Sequence, residues 1–115
     1  MIKRNSSMET EIRKRMREGS GEVEIQHIFK KKEIKGKARL IARIKLKQGC
    51  SIGSHAHGQE EEVFYVLKGE GVATENGETF ILKEGDAMVT GGGSSHAIEN
   101  QKKNLLELFA VILLF

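Results

Sequence analysis

At 115 residues the chain is long enough to bury one core and too short for two, since single domains run to about 100–150 residues. Its single cysteine excludes an internal disulfide, and its most apolar stretch, Leu105 to Phe115, falls far short of the roughly 20 residues that a membrane-spanning helix needs. The net charge of +3 is concentrated in the first half, but the basic residues are interleaved with glutamates, aromatics are few and no helix-turn-helix, zinc-finger or RNA-recognition pattern is present, so neither nucleic acid nor membrane is expected as a partner.

The N-terminus is charged and lacks the apolar core of a secretory signal, so a cytoplasmic location is expected. Within residues 1–20, Met8, Ile12 and Met16 recur every four residues between a capping Ser7 and a terminating Gly19, the pattern of a short amphipathic helix; the charge-rich composition fits an extended arm equally. From residue 21 onward the patterns are those of strands. Val23, Ile25, His27 and Phe29 share one face of a segment from Glu22, which makes His27 a core or pocket-wall residue. Ala38, Leu40, Ala42, Ile44 and Leu46 alternate with Lys37, Arg39, Arg43, Lys45 and Lys47, a half-buried strand with a solvated basic face, interrupted only by Ile41. Asn76-Gly77 reads as a tight hairpin turn and Lys83-Glu84-Gly85-Asp86 as another. Short strands at such spacing indicate a sandwich or jelly-roll barrel over residues 21–115.

Two strands, Val63 to Leu67 and Leu105 to Phe115, are apolar on both faces, with Glu107 the one charge in the second. A sheet normally wets one side, so the second face is expected to be covered by the N-terminal arm or by another subunit, and a homodimer is the expected state.

The chemistry is concentrated in the middle of the chain. His55 and His57 stand two apart, so an extended strand points both imidazoles the same way. The glutamates of Glu60-Glu61-Glu62 follow a short turn, and His96 returns after Gly91-Gly92-Gly93-Ser94-Ser95, read as a flexible loop. Three imidazoles and a carboxylate suit a divalent transition metal, with manganese favoured and iron, nickel, copper or zinc also compatible. Cys50 lies five residues before His55 and in an unbroken strand points away from the metal, as a small buried hydrophobe.

These residues resemble the cupin superfamily. Gly49, His55, His57, Glu62 and Gly69 match its first motif, G-x5-H-x-H-x(3 or 4)-E-x6-G. Gly85, Gly93, His96 and Asn100 match the second, G-x5-P-x-G-x2-H-x3-N, with Gly91 in place of the proline, a change that alters loop stiffness and leaves ligation intact. The six-residue spacing to Gly69 selects Glu62 over its rival Glu61. The resemblance implies an all-β, double-stranded β-helix with an N-terminal arm or short helix, and a metal held by His55, His57, Glu62 and His96. Ligands that face the barrel interior put Phe64, Val66 and Ile98 inside and Val63, Tyr65, Leu67, Ala97 and Glu99 outside, with Phe64 on the pocket floor and Asn100 capping a turn.

Several activities occur in such a family: dioxygenases, oxalate-processing enzymes, sugar isomerases and non-catalytic binders. The expected function is coordination of a divalent metal and a small oxygen-bearing ligand, a carboxylate or enolate, as a dioxygenase or other metal-dependent enzyme; the alternative is a non-catalytic binding or sensor module. Oxalate decarboxylation is disfavoured because Ile52 stands where larger oxalate decarboxylases have an arginine, and no proton donor is aimed inward, though Glu60, Glu61 and His27 contribute from the rim. Metal-free epimerase chemistry needs a His and Tyr pair, and Tyr65, the one tyrosine, faces outward by parity.

Overall fold

The computed structural model describes residues 1–56 and 58–115, and among them the chain forms ten strands in two antiparallel sheets. In chain order these are β1 (Glu9–Lys14), β2 (Glu22–Phe29), β3 (Ala38–Leu46), β4 (Ser51–Ala56), β5 (Glu60–Lys68), β6 (Gly71–Glu75), β7 (Glu78–Leu82), β8 (Ala87–Gly91), β9 (Ser95–Glu99) and β10 (Leu106–Leu114). One sheet runs β1-β2-β3-β10-β5-β8 and the other β4-β9-β6-β7. The non-consecutive neighbours are those of a jelly-roll barrel. Among the described residues no helix is long and apolar enough to cross a membrane.

Strand parity does most of the work of closing the barrel. Val23 and Ile25 of β2, Ala42, Ile44 and Leu46 of β3, Phe64 and Val66 of β5, Ile98 of β9 and Leu106, Leu108 and Ala110 of β10 bury their side chains between the sheets. Tyr65 and Leu67 point away from that core and are exposed, as the alternation from Glu62 requires. Asn76 and Gly77, at φ 49° and 85°, form the hairpin turn between β6 and β7. Asn100 is fully buried: its Nδ2 donates to the carbonyls of Leu46 (2.8 Å) and Asn104 (2.9 Å), and its Oδ1 accepts from the amide of Lys102 (2.9 Å).

The N-terminal segment is extended and not helical. β1 pairs along β2 from Glu9↔His27 to Lys14↔Glu22, leaving Ile12 half exposed. The four-residue spacing of Met8, Ile12 and Met16 is too thin a stripe to hold a helix when an open sheet edge offers a full ladder of backbone hydrogen bonds. After β1, a one-turn 3-10 helix at Met16–Glu18 lies against β4. The approach is so close that a Cβ on Gly53 would stand 1.9 Å from the Arg17 carbonyl oxygen, and one on Gly19 2.3 Å from that of Ser51.

Four bulges interrupt simple alternation among the described residues, one of them at Leu67 of β5 between Lys68↔Glu107 and Val66↔Leu108. In β4, Gly53 and Ser54 together oppose Ala97, between the pairs Ile52↔Ile98 and His55↔His96. In β3, Arg39 is the extra residue between Ala38↔Leu113 and Leu40↔Ile112. In β2, Ile28 is the extra residue between His27↔Ala42 and Phe29↔Ile41. Each inserted residue bends its strand and re-aims the side chains beyond it. Arg39 keeps the exposure expected of the basic face of β3, with its side chain 39% exposed, while the bulge also lets it reach the rim of an inner cavity. Cys50 precedes β4 and packs against the core beside Gly21, at the far end of that strand from His55 and outside the convergent group, as expected of a small hydrophobe away from the metal.

Gly91 also has a different role from the one expected. It ends β8, paired with Glu61, where a Cβ would lie 2.4 Å from the Glu61 Cβ. The turn proper uses Gly92 and Gly93 at φ 63° and 95°. Absence of a side chain at Gly91 thus permits strand pairing rather than loop flexibility.

Candidate metal centre

β4, β5 and β9 deliver His55, Glu62 and His96 to one end of the barrel interior. The Nε2 atoms of His55 and His96 are 3.1 Å apart, His96 Nε2 is 3.0 Å from Glu62 Oε1, and His55 Nε2 is 3.9 Å from the same oxygen. Glu62 and His96 are buried, at 4% and 1% exposure. His57 lies outside the described residues. Glu61 points to the opposite face and pairs with Gly91, so the inward carboxylate is Glu62.

The ring orientations are fixed by neighbours. His55 Nδ1 lies 2.9 Å from the Gly53 carbonyl oxygen, an acceptor only, so Nδ1 carries the proton and Nε2 presents its lone pair inward. His96 stacks on Phe64, with centroids 4.9 Å apart and planes 8° from parallel, and meets the His55 ring edge-on at 4.6 Å. Phe64 thereby backs a candidate ligand from within the core and does not itself form the pocket floor expected of it.

These three residues fit a metal. With ligand atoms about 2.1 Å from an ion, neighbouring positions of an octahedron are about 3.0 Å apart and those of a tetrahedron about 3.4 Å. The separations of 3.0 and 3.1 Å match octahedral edges, whereas the 3.9 Å between His55 and Glu62 exceeds the edge of either polyhedron and lies nearer the ~4.2 Å between opposite octahedral positions. No other group of three metal-ligating side chains converges in this way among the described residues, and Cys50 is not in it.

The site opens on a cavity of about 120 Å3, well below the ~300–1,000 Å3 of pockets that hold drug-sized molecules. Met16, Ile25, Leu40, Ile44, Ile52 and Ile112 give it an apolar wall, with His55 and Glu62 at one end. His27 lines it too, as its parity requires, with Nε2 2.7 Å from Glu11 Oε1. Sequence reasoning missed the other polar residues on this wall: Arg13, Arg17 and Arg39. Glu60 holds Arg39 through two hydrogen bonds of 2.6 Å, and this contact pushes the Arg39 pKa up, against the opposing cost of burial and with help from the charges of Glu60 and Glu62. The only sequence signal for these arginines was their abundance in the first half of the chain; neither bulge nor tight turn is legible there. A wider groove of about 540 Å3 lies elsewhere, on the outer side of the four-stranded sheet, and contains none of the three convergent residues.

A model of the cupin domain matches residues 42–112. An oxalate-binding protein of Thermotoga maritima is 46% identical over 114 residues, 99% of this chain and 94% of that protein. The crystal structure of a predicted oxalate decarboxylase from Thermotoga maritima superposes with a TM-score of 0.94 at 45% identity, covering 100% of both chains. The cupin domain of Schizosaccharomyces pombe Cnp3 shares the fold, with a TM-score of 0.74 at 15% identity over 91% of this chain and 69% of that one.

Proposed function

The chain belongs to the cupin family, and on that footing we propose that it uses His55, His57, Glu62 and His96 to hold a divalent transition metal, manganese by preference, which receives a small carboxylate ligand such as oxalate. The observation that carries this reading is the triangle of His55 Nε2, His96 Nε2 and Glu62 Oε1 at the end of a cavity sized for a ligand of a few heavy atoms. The relative named as oxalate-binding supports the ligand class. An octahedral ion with four protein ligands keeps two adjacent positions for a bidentate carboxylate, whereas a tetrahedral one is filled.

When bound, the ion would supply Lewis acidity. The chain's own residues do the rest. The Gly53 carbonyl fixes the His55 tautomer, Phe64 holds the plane of His96, and the aliphatic wall excludes water, so charge interactions at the site act in a low dielectric.

Between turnover and binding alone, the lining favours binding. Among the described residues that line the cavity, Glu62 is the single carboxylic acid, and a ligating carboxylate is a poor proton donor. His27 is the remaining titratable group there besides His55 and the arginines. Elemental analysis of untagged protein, beside a His55→Ala, His57→Ala double variant, tests the metal; calorimetric titration with oxalate and assay of carbon dioxide release test the ligand and its turnover. Near-stoichiometric metal lost in the variant, with oxalate bound and no gas released, is the expected result. Protein that holds no metal even after reloading overturns the reading.

A further inference from the structure

The cavity has a second set of polar lining residues, which the family match does not reach. Arg13 of β1, Arg17 of the 3-10 turn, His27 of β2 and Arg39 of the β3 bulge all line it, and all precede residue 42. Separate features of the fold aim them there. The inserted position of Arg39 turns a residue of the basic face toward the rim, where Glu60 holds it. Arg17 adopts φ 53°, with Arg15 at 51° and Glu18 at 62° also left-handed. Such conformations are costly for side chains with a Cβ and persist where the surroundings impose them, here the packing of Gly19 and Gly53. Arg13 and His27 share Glu11 as their acceptor, whereas Arg17 has no carboxylate partner among the described residues.

Charge identifies the ligand. Arg13, Arg17 and Arg39 are balanced by Glu11, Glu60 and Glu62 at the cavity and its rim, so a divalent ion leaves this group of charges two positive in excess. That surplus is matched by a dianion. Guanidinium forks are the groups best shaped to receive carboxylate oxygens. We propose that Arg17, flanked by Arg13 and Arg39, is the distal half of a two-point site for small dicarboxylates: oxygens not turned toward the metal end accept hydrogen bonds from the arginines. The N-terminal segment is then a specificity element of the site.

This proposal rests on the metal and carboxylate reading above, and its test separates the two. Metal-loaded wild type, Arg17→Asn and the double variant Arg13→Gln, Arg17→Asn are titrated calorimetrically with oxalate and, in parallel, with acetate, after metal content is measured in each. Asparagine tolerates the left-handed conformation better than arginine, so Arg17→Asn is expected to melt no lower than wild type. Oxalate affinity should fall about tenfold in the single variant and about a hundredfold in the double one, with metal content unchanged, while acetate affinity changes less than about threefold. Equal oxalate affinity in wild type and both variants overturns the arginine site alone. Metal-replete wild type that binds no oxalate overturns the underlying reading and the arginine site with it.

Discussion

The Nδ1 of His55 lies 2.9 Å from the carbonyl oxygen of Gly53, across the bulge that also brings Gly53 against Arg17. One glycine therefore orients a candidate ligand and seats the turn that carries an arginine. Gly53→Ala sets a Cβ 1.9 Å from the Arg17 carbonyl oxygen, so the turn must lift or β4 must shift. Stability should fall by about 1–3 kcal/mol, as for overpacked sites generally, and metal affinity by about tenfold, as for lost support of a ligand. Thermal melting and competition with a chelator measure the two. An alanine variant that melts and binds like wild type would show that the close approach has no structural role.

Glu62 lines the cavity while Glu60, two residues earlier on β5, holds Arg39 at its rim. Glu62→Gln is expected to lower metal affinity by more than about tenfold, since an ionised oxygen ligand is replaced by a neutral amide. Glu60→Gln should keep its metal and release Arg39 from its paired hydrogen bonds. Elemental analysis after dialysis distinguishes them; the reverse pattern would mean that the β5 register carries a different ligand.

Asn100 falls within the second family motif without being a ligand, and its three hydrogen bonds explain its presence. Asn100→Ala strands the carbonyl of Leu46 in a buried site, at a cost of about 1–3 kcal/mol. Denaturant unfolding should show that loss, with metal content unchanged in the folded fraction.

The N-terminal segment should loosen in acid. Glu11 is held below the ordinary carboxylate range first by its hydrogen bond to Arg13 and then by that to His27; Glu9 is lowered by Lys30 and Glu33 by Lys3. A carboxylate whose folded pKa is depressed stabilises the folded arm above its ordinary value of 4.5. That contribution is lost as pH falls through the lower, folded value, because the released segment binds the proton more tightly. Hydrogen exchange of β1 amides, corrected for intrinsic rates, should therefore rise relative to β10 below the ordinary glutamate range. Equal relative protection above and below that range would count against these contacts as the tether.

The outer face of the six-stranded sheet should be a subunit interface. Val111, Val63 and Val89 form one cross-strand row over β10, β5 and β8, and Phe109, Tyr65 and Ala87 form the next. β1 covers the edge of β2 and leaves this face open, so of the two covers expected, a second subunit is the one the topology favours. The isolated chain of 12.8 kDa exposes 7002 Å2, against about 6,300 Å2 for a typical monomer of its mass. Light scattering should give twice the chain mass for wild type and the single mass for a Tyr65→Glu, Val89→Lys variant. A monomeric wild type would sink the dimer.

Much of the barrel was legible because strand burial has a period of two. That period alone put Phe64, Val66 and Ile98 inside with Glu62 and His96 and left Tyr65 outside, and the Asn76-Gly77 turn needed only the backbone freedom of its two residues. The spacing of histidines and glutamates, set against the family motifs, likewise pointed to His55, Glu62 and His96, which the fold brings together, and to His57, which lies outside the described residues. The arginines were not legible, because a bulge depends on how two strands meet across the sheet and leaves little trace in either one. Arg39 reads as solvated by parity and is exposed, yet it also reaches the cavity rim because one residue too many was fitted between Ala38 and Leu40. Arg17 reaches the same cavity from the other end of the chain's basic half because two glycines, Gly19 and Gly53, let a turn and a strand touch. Local sequence determined which side chains are buried; only the packing of distant segments decided which charges line the space they enclose.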